Sequence, residues 1–163
     1  MKDVSIEDKL FYFERNFFTL DGLFVVEIEN QTDFETALKI DLMVWQKFLN
    51  IILGRIKRYL SIKSDSIKDL VEILSFRWSC EGWEYEIVKN EEKEADIEIK
   101  KCPYKAMMDR NEERHHLISQ ICKKICIPLY KSAIESFNPK IQLKRDKFMG
   151  LGDNICQFHF KLI

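Results

Sequence analysis

The chain has 163 residues, 46% of them hydrophobic and 12% aromatic, enough to bury a core and too apolar for extended disorder. Its 26 lysines and arginines nearly balance 27 aspartates and glutamates, for a net charge of −1, so the basic surplus of a nucleic-acid-binding surface is missing. The N-terminus lacks the apolar run of a secretory signal, and the longest apolar stretch, Phe48 to Leu53, contains Asn50 and is too short to span a bilayer.

These features predict one domain over residues 1–163 in a cytoplasmic protein, with neither nucleic acid nor membrane as a partner. Three prolines and five glycines leave little material for a linker. Five cysteines, an odd count in a reducing compartment, do not read as a disulfide framework.

Residues 6–18 read as a helix with Leu10, Phe13, Phe17 and Phe18 on or near one face. Asp21-Gly22 marks a turn, and Leu23 to Ile28 is either a strand or a buried helical segment, since periodicity cannot separate short apolar runs. Thr32-Asp33-Phe34-Glu35 matches a capping box with Thr32 as the N-cap. It opens a long helix to about Leu60 that is apolar on more than one face and therefore central. A third helix covers about Ser66 to Trp78.

The period then changes. Trp83 to Ile87 and Asp96 to Lys100 alternate apolar and charged residues around the polar turn Lys89 to Glu94, which makes a β-hairpin with one wet face. Residues 104–137 return to a helical pattern that Pro128 interrupts. Ile141 to Lys144 is a strand, Gly150 to Asn154 a turn, and Cys156 to Leu162 the last strand. The fold class is α+β: N-terminal helices packed on an antiparallel sheet of two hairpins, with a helix between them.

Four of the five cysteines and all three histidines fall between Cys102 and His159, and thiolate and imidazole are the ligands that zinc selects. At about 100° per helical residue, positions seven and eleven apart share an azimuth, so His115, Cys122 and Cys126 form one stripe with His116 at its rim. In the last strand Cys156 shares the inward face with Phe158 and Phe160, while His159 points the other way and drops out as a ligand. Alternation from Ile97 and Ile99 would turn Cys102 to the polar side, but Pro103 ends the ladder there. The cluster is either a metal site or a set of buried free thiols, as Cys80 is expected to be. Asp41, one helical turn from Trp45, is either an acid–base group with a raised pKa or a satisfied hydrogen-bonding residue.

Two sets of motifs carry a resemblance. One is Leu20-Asp21-Gly22-Leu23-Phe24, continuing through Glu35, Ala37, Asp41 and Val44-Trp45. The other is Cys102-Pro103, Cys122, Phe137-Asn138-Pro139-Lys140-Ile141, then Gly152-Asp153 leading to Cys156-Gln157-Phe158. The chain resembles the L-2-amino-thiazoline-4-carboxylic acid hydrolase-like family and the allied 4-vinyl reductase-type domains, of the ligand-binding type found in the NO-signalling and Golgi-transport superfamily. That resemblance implies one domain that binds a small aromatic or heterocyclic molecule in a pocket containing Phe24, Asp41 and Trp45. It also implies a structural zinc on Cys102, Cys122 and Cys156; Cys126, on the same helical stripe as Cys122, is our choice for the fourth ligand, with His115 or His116 as the alternatives. Phenol-sensing members differ in carrying a second cysteine and a glutamate shortly before the final cysteine, where this chain reads Lys144 to Met149. The family name implies a second function, hydrolysis of a small cyclic amide or thiazoline. The superfamily implies a third, a scaffold or homodimerisation module.

Overall fold

The computed structural model describes residues 3–163, which fall into two compact units, one ending at Asp41 and the other running from Leu42 to Ile163. The first holds α1 (Ile6–Gln31) and the start of α2 (Phe34–Tyr59). A capping box opens α1: the Ser5 hydroxyl accepts from the Asp8 backbone N–H at 3.0 Å, and the Asp8 carboxylate accepts from the Ser5 N–H at 3.1 Å. The expected turn at Asp21-Gly22 does not form, and the helix runs through it. A lone helical glycine costs only about 1 kcal/mol, which the hydrogen bonds of an uninterrupted helix outweigh. No residue of α1 is buried.

The N-cap of α2 is also displaced by one residue from expectation. Asp33, not Thr32, accepts from the Thr36 N–H at 2.9 Å, while the Thr32 hydroxyl donates to the Ile28 carbonyl at 2.7 Å and so stays with the end of α1.

In the second unit, α2 buries Trp45, Leu49, Leu53 and Ile56, one stripe at steps of four, four and three. Met43, Val44 and Ile51 remain exposed, so the helix is amphipathic and not buried around its girth. It ends with Ser61 at φ 57° and the Ile62 N–H on the Lys57 carbonyl at 3.0 Å. Ser66 and Asp69 form a capping box at the start of α3 (Ile67–Cys80), whose buried face carries Ile67, Leu70, Val71, Leu74 and Trp78. Cys80 is exposed and not the buried thiol expected, because it is the last residue of α3, beyond the buried stretch that closes at Trp78.

Four antiparallel strands follow: β1 (Glu84–Asn90), β2 (Glu94–Lys101), β3 (Ile141–Lys144) and β4 (Cys156–Leu162), in the order β1-β2-β4-β3. The fold is therefore α+β. Ala95, Ile97 and Ile99 of β2 share the covered face with Cys156, Phe158 and Phe160 of β4, in a register that sets Ile97 beside Phe158 and Ile99 beside Cys156. Helix α3 packs on β1, β2 and β4.

The segment between the hairpins is not one kinked helix. It comprises α4 (Pro103–Met108), a 3-10 turn (Glu112–Leu117), α5 (Ile118–Ile121), a π turn (Cys122–Cys126) and α6 (Ile127–Phe137). Pro128 explains the π turn. It has no N–H to offer the preceding turn, and the register slips by one so that Ile127 donates to the Cys122 carbonyl instead.

Candidate functional site

The four cysteines expected to act together come from three parts of the second unit, and the fold brings them to one end of the sheet. Cys102 leaves β2 as the N-cap of α4, in extended geometry, and its Sγ accepts from the Lys105 N–H at 3.5 Å. Cys122 and Cys126 begin and end the π turn. Cys156 opens β4, buried, and accepts from the Met149 N–H at 3.2 Å. Cys126 Sγ accepts from Arg145 Nη1 at 3.3 Å.

The thiols of Cys102, Cys122 and Cys156 each lie in the electrostatic field of at least one other cysteine of the cluster. Burial pushes the Cys102 thiol well above its ordinary range, the Lys105 N–H opposes this, and Cys126, Cys156 and Cys122 add to it. Burial raises the Cys122 thiol to about 12, with Cys126 and Cys156 adding and Arg145 opposing. Cys156 is raised by burial against the pull of the Met149 N–H and Arg145. Three of the four sulfurs, those of Cys102, Cys126 and Cys156, thus accept an N–H hydrogen bond, while burial favours the protonated thiol at Cys102, Cys122 and Cys156. Among the described residues, however, no three of these sulfurs lie within 4.8 Å of one another. Coordination of one ion would require them to draw inward.

His115 and His116 stand at solvent in the 3-10 turn, and His115 Nε2 lies 2.6 Å from the Asp109 carbonyl. A cysteine–histidine stripe needs a continuous α-helix, and the break at residues 117–118 removes it.

Arg145 was not singled out by sequence. Its guanidinium carbon sits 3.9 Å from the Phe158 ring centroid, 4.6 Å from Phe148 and 5.4 Å from Tyr130, and its Nε donates to the Gln157 carbonyl at 3.2 Å. From there an aromatic chain crosses the core. Phe158 meets Tyr130 at 4.8 Å and Trp78 at 5.2 Å, Trp78 meets Trp83 at 6.0 Å, Trp83 meets Tyr104 at 5.9 Å, and Tyr104 meets Trp45 at 5.4 Å. The Tyr130 hydroxyl accepts from Trp78 Nε1 at 2.9 Å and from Arg77 Nη1 at 3.2 Å, and Arg77 is itself paired with Glu81 at 2.8 Å. Trp45 is therefore buried, edge-on to Tyr104 and also to Phe48 at 5.4 Å. A depression of about 190 Å³ lies elsewhere in this unit, lined by Leu53, Lys57, Asp65, Ala133 and Phe137 among others.

Of the other expected pocket residues, Phe24 and Asp41 belong to the first unit. Phe24 is 47% exposed on α1, whereas Asp41 is buried. Burial, then the nearby Asp21 charge, raises the Asp41 carboxyl to about 7.

A second constellation lies on the opposite face of the sheet. His159 Nδ1 is 2.7 Å from Asp96 Oδ1, and its Nε2 is 3.6 Å from Glu94 Oε1. Alternation along β4 had turned His159 away from the cysteines, as observed. Its partners were invisible because they depend on the β2–β4 register that sets Asp96 opposite His159.

Among solved structures, the chain is similar to a trafficking protein particle complex subunit 3 from Naegleria fowleri covalently bound to palmitic acid, with 15% identity, a TM-score of 0.58 and coverage of 92% of this chain and 95% of that one. It is also similar to the phenol-responsive sensory domain of the transcription activator PoxR with phenol, at 13% identity and a TM-score of 0.53, covering 89% of this chain and 73% of that one. At these identities the likeness is one of fold. No curated protein matches the sequence. A family model matches residues 2–149, a span that takes in Cys102, Cys122 and Cys126 and stops before Cys156. The chain belongs to that family, DUF6125, a family of unknown function.

Proposed function

We propose that the chain is a small-molecule-binding domain of the 4-vinyl reductase type, for a hydrophobic or aromatic ligand, stabilised by a zinc on Cys102, Cys122, Cys126 and Cys156. The observation that carries the binding reading is the aromatic chain from Trp45 through Tyr104, Trp83 and Trp78 to Phe158. Pockets for apolar ligands are lined by such side chains with a few polar groups among them, and Arg77, Arg145 and the Tyr130 hydroxyl are polar groups in contact with this chain. The two proteins of similar fold support it, one holding palmitic acid and the other phenol.

The zinc reading is supported by donor chemistry: four thiols from three elements, with N–H donors on the sulfurs of Cys102, Cys126 and Cys156. The ion would tie the end of β2, the π turn and the start of β4 together and contribute folding free energy.

Native mass spectrometry of the purified chain, with phenol and palmitic acid as added probes, tests the binding reading. A retained or added ligand should raise the melting temperature, and Trp45→Ala should weaken binding more than it lowers stability. Absence of any bound species, with neither probe shifting the melt, would overturn it. Metal analysis of the same sample tests the zinc separately.

A further inference from the structure

The wet face of the sheet carries a histidine and two carboxylates that do not fully satisfy one another. The β2–β4 register sets Asp96 opposite His159, and Glu94 stands two residues from Asp96 on the same side of β2. All three side chains are part-buried. His159 Nδ1 lies 2.7 Å from Asp96 Oδ1, and an ionised carboxylate can only accept, so Nδ1 carries the proton. In the neutral ring Nε2 is then a bare lone pair, and it faces Glu94 Oε1 at 3.6 Å. That gap is too long for a hydrogen bond, and without a cation in it two acceptors point at each other.

A divalent ion fits the gap. At zinc–nitrogen and zinc–oxygen lengths of ~2.0–2.2 Å, an ion bound to both atoms would sit to one side of the line between them, at an angle of roughly 120°. One donor atom from each of the three residues lies within 4.8 Å of the other two. The supports of a metal ligand are also present. Asp96 on Nδ1 fixes the ring, the carboxylate–histidine arrangement that metal-ligating imidazole uses. Lys89 Nζ holds Glu94 Oε2 at 2.6 Å, which leaves Oε1 as the oxygen toward His159. Two further lysines flank the site. Lys161 stands opposite Glu94, and Lys144, paired with Asp146 at 2.8 Å, stands opposite His159. Their charge opposes an ion held by electrostatics alone, such as Mg²⁺, and leaves the advantage to one that bonds imidazole directly.

We propose that His159 Nε2 and Glu94 Oε1 bind a zinc-type divalent cation, with Asp96 orienting the imidazole and water completing the coordination sphere. The ion joins β2 to β4, and so links the two hairpins at the centre of the sheet. All of these residues lie in the second unit, on the face opposite Cys156, so the site is separate from the cysteine cluster.

The test uses the full chain labelled with nitrogen-15 at histidine and followed by NMR at neutral pH. Zinc chloride is added past the one equivalent expected on the cysteines. His159 Nε2 should shift and saturate before His115 and His116 respond, with the Nδ1 proton retained, and magnesium chloride at the same concentration should leave it unmoved. Asp96→Asn should weaken zinc binding at His159 ~10–100-fold, the usual cost of removing the partner that orients a ligand. Glu94→Gln should abolish the lead of His159 over the other two histidines. Exchange of the amides that pair β2 with β4 should slow on zinc addition. The parent titrations need no substitution, so a variant that fails to fold does not remove the test. A His159 that responds no earlier than His115 and His116, or equally to magnesium, overturns the proposal. So does zinc binding that Glu94→Gln leaves unchanged, or ladder exchange indifferent to zinc. An imidazole that carries protons on both nitrogens and ignores zinc would also overturn it, by giving the gap to an imidazolium.

Discussion

Gly150 lies so close to Cys122 that a Cβ at position 150 would stand 2.0 Å from the Cys122 sulfur and 3.0 Å from its Cβ. The backbone of the loop before β4 is thus pressed against the π turn at Cys122. The constraint is steric, since Gly150 is not among the residues with positive φ.

Gly150→Ala should therefore displace Cys122 or the loop and cost about 1–3 kcal/mol, the usual price of overpacking a filled site. Gly22→Ala is the matching control: nothing lies within 4 Å of a Cβ there, and the residue sits inside α1. It should stabilise the chain by about 0.5–1 kcal/mol. Urea denaturation of both variants checks the pair, and a destabilising Gly22→Ala would restore the turn that its neighbour Asp21 suggested.

Cys102→Ser and Cys156→Ser should each lose bound zinc, with about one equivalent expected per chain of the parent, whereas Cys80→Ser should keep it. Because burial raises the Cys102, Cys122 and Cys156 thiols, zinc must displace their protons, and affinity should fall steeply as pH falls. Competition with a chromophoric chelator between pH 6 and 8 reads both effects. Full zinc occupancy in Cys156→Ser would rule out the proposed ligand set.

Arg145 should hold the Cys126 side of the cluster through its hydrogen bond and its contact with Phe158. Arg145→Met keeps much of the side chain's apolar bulk and removes the charge, so the fold should survive with a loss of about 1–3 kcal/mol, since a charged hydrogen bond is lost. Thiol accessibility measured with a maleimide probe should rise selectively at Cys126.

Asp41 makes stability depend on pH. Burial, then Asp21, raises its carboxyl from 3.8 to about 7, so between those values the folded chain holds a proton that the unfolded chain has released. Stability therefore falls as pH rises from about 4 to about 7. At ~1.4 kcal/mol per pKa unit the loss reaches at most about 4 kcal/mol. Asp41→Asn should flatten that profile and be more stable than the parent at pH 8. Denaturant midpoints at pH 5 and pH 8 measure it, and parallel profiles for the two chains would refute the assignment.

Much of the second unit could be read from local order. The start of α3 followed from side chains three residues apart, Ser66 and Asp69, and the hairpin from strict alternation about a polar turn. The inward Cys156 and outward His159 followed from the period of a strand alone. These are contacts between near neighbours, so the residue order determines them. Tertiary structure decided the rest. Whether Thr32 or Asp33 capped α2 depended on where α1 ended, and α1 ended late because continuous helix hydrogen bonds outweighed one glycine. The Arg145–Cys126 contact and the Gly150–Cys122 approach join segments whose relation no periodicity encodes. Likewise, β4 lies between β2 and β3, and this order alone sets His159 opposite Asp96 and Cys156 beside Ile99. A strand's own pattern states which face is apolar; the choice of neighbour and register belongs to the packing of the whole unit.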